Sequence, residues 1–102
     1  MAKPDYAALL AKAFTAADNA TQDFPETPDC GFAWVTIHGR SGLASYARRQ
    51  GIGHKGYPNG WDFWCPGTPS QSLSVRIAGA KAFAKVLFAS GEVLPRVDWR
   101  LD

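Results

Sequence analysis

A chain of 102 residues can build one modest core and has no room for a second domain. Its 46% hydrophobic content, with four Trp, three Tyr and six Phe, excludes a disordered chain. Eleven Lys/Arg against nine Asp/Glu leave a net charge of +2, which permits an anionic partner without requiring one.

In chain order, Pro4 suits a first helical position, and Tyr6, Leu9, Leu10, Ala13, Phe14 and Ala17 form one apolar stripe from Asp5 to about Asn19. Pro25 and Pro28 then force an extended connector. Residues 32–37 (FAWVTI) read as a strand; both alternating sets are largely apolar, so it is expected to be central and covered on both faces. Gly39 and Gly42 break that strand. Ser41 is a candidate N-cap for a short helix with Leu43, Tyr46 and Ala47 on its apolar face, and Gly51 is its natural stop.

The stretch from Gly53 to Cys65 is the most informative in the chain. Asn59-Gly60 predicts a tight hairpin turn, because both residues tolerate positive φ. In the strand after it, Trp61, Phe63 and Cys65 alternate with Asp62 and Trp64, so one aromatic is expected on the face away from the core. From Ser72 to Ser90 the pattern is helical. Val75, Ala78 or Gly79, Ala82, Phe83, Val86 and Leu87 line one side, with Arg76, Lys81 and Lys85 on the other, and Gly91 as terminator. Arg96 to Leu101 alternates polar and apolar, as a half-exposed strand does.

The predicted order is α-β-α-β-β-α-β: an α+β domain with a small mixed or antiparallel sheet and helices mainly on one face. It divides into an N-terminal helix (1–22), a Pro-rich connector (23–30) and an α+β core (31–102). Met1 to Pro4 leads directly into the first helix with no signal-peptide pattern, and no apolar run reaches transmembrane length. A soluble cytoplasmic protein with Cys30 and Cys65 as free thiols is the expectation.

Four constellations could carry chemistry. The turn His38-Gly39-Arg40-Ser41-Gly42 resembles an anion cradle at a helix start, though its glycines and Ser41 equally suit a plain turn and cap. Cys30, His38, His54 and Cys65 form a sound zinc donor set, but seven, fifteen and ten residues intervene, so the usual local chelate is missing and no metal or cofactor is expected. Neither cysteine has a neighbouring base, which argues against a thiol enzyme. The fourth is a basic window: Arg40, Arg48, Arg49, His54 and Lys55 fall in sixteen residues without a carboxylate, next to Tyr57 and Trp64. Cations beside aromatic platforms suit phosphates and stacked bases; the plainer alternative places the tryptophans in the core and the cations on a solvated face.

Residues 30–35 (CGFAWV), Trp61-Asp62-Phe63-Trp64 with Pro66, Gln71-Ser72 ahead of the alanine-rich helix through Ala78, Gly79 and Phe83, and the closing Arg100-Leu101-Asp102 resemble a family of small proteins encoded by tailed phages and prophages. The resemblance covers roughly residues 30–102. It brings no catalytic set and no residue roles. It implies an accessory protein that binds a host component and blocks or redirects it, in an anti-defence or host-takeover role. The resulting expectation is a non-enzymatic binding module using Arg40, Ser41, Arg48, Arg49, His54, Lys55, Tyr57 and Trp64. Its partner would be a host protein, or alternatively a nucleic acid or nucleotide. A small cysteine- or metal-dependent enzyme is the remaining alternative. Either the final strand (residues 96–101) or the hairpin must lie at a sheet edge, which also makes a homodimer an expectation, with Arg96, Asp98 and Arg100 as partial protection of the last strand.

Overall fold

The computed structural model describes residues 4–102; residues 1–3, assigned from sequence to the approach to the first helix, lie outside the described residues. The elements are α1 (Tyr6–Thr21), β1 (Gly31–His38), α2 (Gly42–Gln50), β2 (His54–Gly56), β3 (Gly60–Trp64), α3 (Leu73–Ser90) and β4 (Arg96–Leu101). This is the α+β order the patterns predict.

Local chemistry sets the helix ends. Asp5 caps α1 by accepting a 3.0 Å hydrogen bond from the Ala8 N–H. The Ser41 hydroxyl accepts from the Ala44 N–H at 3.1 Å and starts α2. Gly51 and Gly91 close α2 and α3 in the left-handed region, at φ of 71° and 76°.

The four strands form one antiparallel sheet in the order β2-β3-β1-β4. Ala33, Val35 and Ile37 of β1, with Trp61 and Phe63 of β3, point to the helices and are buried. Leu10, Ala13 and Ala17 of α1, Leu43, Ala44 and Ala47 of α2, and Ala80, Phe83, Ala84 and Leu87 of α3 complete the same core. Phe83 sits at its centre, edge-on to Phe14 at 4.9 Å and 5.1 Å from Phe63. Thr21 ties the loop after β3 to α1: its hydroxyl donates to the Ala17 carbonyl and accepts from the Thr68 N–H, both at 2.8 Å.

Two expectations change. β1 is central, but all three helices contribute to the core on one side of it; Phe32, Trp34 and Thr36 face the other side and are only half-buried. Aromatic packing within that open face accounts for its apolar residues, rather than a second layer. In the hairpin, Gly56 pairs with Gly60, so the loop is Tyr57, Pro58 and Asn59, and neither Asn59 nor Gly60 takes positive φ. Glycine serves a different purpose at position 60: a Cβ there would stand 2.6 Å from the Thr36 methyl on the neighbouring strand.

Candidate functional site: the open face of the sheet

Strand alternation and register together build the site. Trp34 pairs with Trp64 and Thr36 with Asp62 across β1 and β3, while Phe32 pairs with Arg100 and Trp34 with Asp98 across β1 and β4. These side chains all emerge on the face opposite the helices. The Trp34 and Trp64 rings stack at 4.9 Å with 12° between their planes. Phe32 and His54 flank Trp64 at 5.6 and 5.5 Å.

Arginines cap this group. The Arg100 guanidinium lies 5.5 Å from the Phe32 centroid and 5.9 Å from that of Trp64. Arg76 reaches from the first turn of α3 to stand 5.1 Å from the Phe32 ring, held there by donating to the carbonyls of Ser70 and Gly31. Asp62, only 8% exposed, accepts a 2.7 Å hydrogen bond from the Thr36 hydroxyl. Its carboxylate occupies the space a side chain at Gly56 would need. The face therefore offers stacked π surface beside guanidinium groups.

The residues singled out from sequence separate onto two surfaces. His54 and Trp64 belong to the open face. Lys55 pairs with Trp61, whose ring is part of the core, and so points to the helix side; there it joins Arg40 and Arg48 in a shallow recess. Arg48 lies 5.0 Å from the Trp61 centroid and donates to the Gly39 carbonyl at 3.0 Å. Arg49 is exposed on α2 and does not line the recess.

Ser41 is occupied by its cap and by donating to the His38 carbonyl at 2.8 Å. The N–H groups of Gly39, Arg40 and Ser41 bond Asn59, the His38 ring and the His38 carbonyl, and the Tyr6 phenol packs against Gly42. The turn is thus closed upon itself rather than open as an anion cradle.

Tyr57 is 96% exposed and lines an open cleft of about 760 Å³ at the end of the sheet, between the hairpin loop and the α3–β4 connection. Thr36 and Arg96 line it too, so the cleft adjoins the open face.

Sequence reasoning missed Phe32, Trp34, Arg76 and Arg100 as site residues. The usable signal was the polar set of β4, Arg96, Asp98 and Arg100, which shares a face with Trp64. Among the described residues no three His, Cys, Asp or Glu side chains gather as a metal site, and Cys30 and Cys65 are free thiols. None of the helices among the described residues is long and apolar enough to cross a membrane. No protein-family model, curated protein or solved structure matches the chain.

Proposed function

We propose that the protein is a non-enzymatic binding module that engages a host component through the open face of its sheet, as an accessory protein of the phage type would. The observation that carries this reading is the Trp34–Trp64 stack, flanked by Phe32 and His54 and left without a covering helix. Aromatic side chains of this size dominate binding energetics wherever a partner covers them. Capture of a partner from host lysate, with and without nuclease, tests the reading. Wild-type protein should retain a component that Trp64→Ala loses. Turnover of a substrate, abolished by a single-residue change in a folded protein, would overturn it.

One observation favours a second, narrower reading in which the component is single-stranded nucleic acid. Arg100 lies over two rings of the face, and alternating cations and π platforms suit a chain of phosphates and bases. Fluorescence polarisation against short single-stranded DNA and RNA at two salt concentrations is decisive. Affinity should fall steeply with salt, and Arg100→Ala should flatten that dependence by about one unit of slope. Binding that ignores salt but needs Trp64 would assign the face to a protein partner.

A further inference from the structure

We propose that the outer edge of β4 pairs antiparallel with the β4 edge of a second copy of this chain, with Trp99 opposite Trp99 about a two-fold axis.

β4 is a terminal strand of the sheet, and among the described residues no strand pairs with its outer side. Hydrogen bonding defines which backbone groups stand free. The Asp102 N–H donates to the Cys30 carbonyl, and on the other side of β1 the Cys65 N–H donates to Ala33. Cys30–Asp102, Phe32–Arg100, Trp34–Asp98 and Thr36–Arg96 are therefore the hydrogen-bonded pairs of the β1–β4 ladder. Val97, Trp99 and Leu101 direct their N–H and C=O groups outward; the Trp99 N–H donates to the Asp98 carboxylate of its own chain at 3.0 Å, a local contact that pairing would exchange for a backbone partner. Antiparallel pairing of two such edges must then set these three residues opposite one another.

Few registers satisfy that rule, and side-chain charge separates them. With Trp99 opposite Trp99, Asp98 faces Arg100, Arg96 faces Asp102, and Val97 faces Leu101, each contact occurring twice by symmetry. Moving one way sets Asp98 opposite Asp98 and Arg96 opposite Arg100. Moving the other way sets Arg100 opposite Arg100 and Asp98 opposite Asp102. Like charges directly opposite on one face are destabilising. A further step, Val97 opposite Val97, brings Pro95, which has no N–H, against Trp99. Leu101 opposite Leu101 also sets Arg100 against Asp102, but it draws only Arg100 and Leu101 of β4 into the pairing. The Trp99 register is the one that is complementary in charge, apolar contact and backbone bonding along the whole of β4.

Exposure agrees with this geometry. Trp99 is 51% and Leu101 62% exposed, although both lie on the helix side of the sheet, where their partners on β1, Ala33 and Gly31, are buried. In the paired form each Trp99 meets its mate across ~5.5 Å of Cα separation, typical of a hydrogen-bonded antiparallel pair. The charges that would ordinarily protect an edge strand here alternate so that they complement their own copy. A two-fold axis normal to the sheet also sets both open aromatic faces on the same side.

Sedimentation velocity across a wide dilution series tests the pairing, with circular dichroism as the check on folding. Wild-type protein should sediment as a dimer that dissociates on dilution. Asp98→Arg and Arg100→Asp should each be folded monomers, and the double variant should regain the dimer because it restores opposite charges in the same register. Trp99→Lys, which leaves both charges in place, should be monomeric. A wild-type monomer at every concentration would overturn the proposal. So would a dimer that persists in folded Trp99→Lys protein, or a folded charge-swapped double variant that stays monomeric.

Discussion

Trp34 and Trp64 stand directly opposite each other across β1 and β3, and their indole planes lie 12° from parallel at 4.9 Å. Trp64 keeps 37% of its surface exposed, so the pair holds one broad face toward solvent rather than filling the core. Stacked aromatic pairs contribute about 0.5–1.5 kcal/mol beyond their buried area. A double-mutant cycle with Trp34→Ala and Trp64→Ala, read by urea unfolding, should return a coupling energy in that range. A coupling near zero would mean that the rings share a face without supporting each other.

The buried carboxylate beneath this platform depends on one donor. Thr36 gives Asp62 its 2.7 Å hydrogen bond, and Asp62 is 8% exposed. Thr36→Val keeps the shape and removes the donor, so the variant should lose about 1–3 kcal/mol, the cost of stranding a buried polar group. Asp62→Asn, which still accepts through its amide oxygen, should lose less. A larger loss in Asp62→Asn than in Thr36→Val would show that the negative charge, rather than the hydrogen bond, is what the fold uses.

How much of this was legible beforehand follows from how each feature is encoded. Helix limits are local, so Ser41, Gly51 and Gly91 mark them in the sequence and the structure places them there. The alternation of Trp61 and Phe63 with Trp64 likewise correctly separates core from surface. Register is not local. Nothing near Phe32 announces that Arg100 will stand opposite it, because that pairing joins the start of the sheet to the end of the chain. Adjacency misleads in the opposite direction at His54 and Lys55: neighbours in the basic window, they leave β2 on opposite faces. Asn59-Gly60 shows the same limit. The dipeptide marks the hairpin, but the loop is one residue longer than the turn it usually makes.

Gly79 offers a test of packing against propensity. Alanine is favoured over glycine in a helix interior by about 1 kcal/mol. Here a Cβ would collide with the Pro66 carbonyl oxygen and crowd the Thr21 methyl, and backbone cannot step aside as a flexible side chain can. Gly79→Ala should therefore destabilise the protein despite the better helix former, with a midpoint of urea unfolding below that of wild type. A stabilised variant would show that the loop after β3 yields readily.

Arg48 and Arg49, adjacent in the last turn of α2, should respond differently to charge reversal. Both cations favour the negative end of the helix dipole, an effect of about 0.3–1 kcal/mol that either Glu would reverse. Both side chains are exposed, but Arg48 also lies over Trp61 and bonds the Gly39 carbonyl, whereas Arg49 lies outside the recess. An exposed cation–π contact contributes about 0.5–1 kcal/mol, and a solvent-exposed hydrogen bond about 0.5–1.5. Arg48→Glu should thus be the more destabilising change by at least about 1 kcal/mol, and its tryptophan fluorescence should shift as the Trp61 environment loses the guanidinium. Arg49→Glu should leave that fluorescence unchanged. Equal unfolding midpoints for the two variants would remove Arg48 from the hairpin's support and leave both arginines as solvated charges at a helix end.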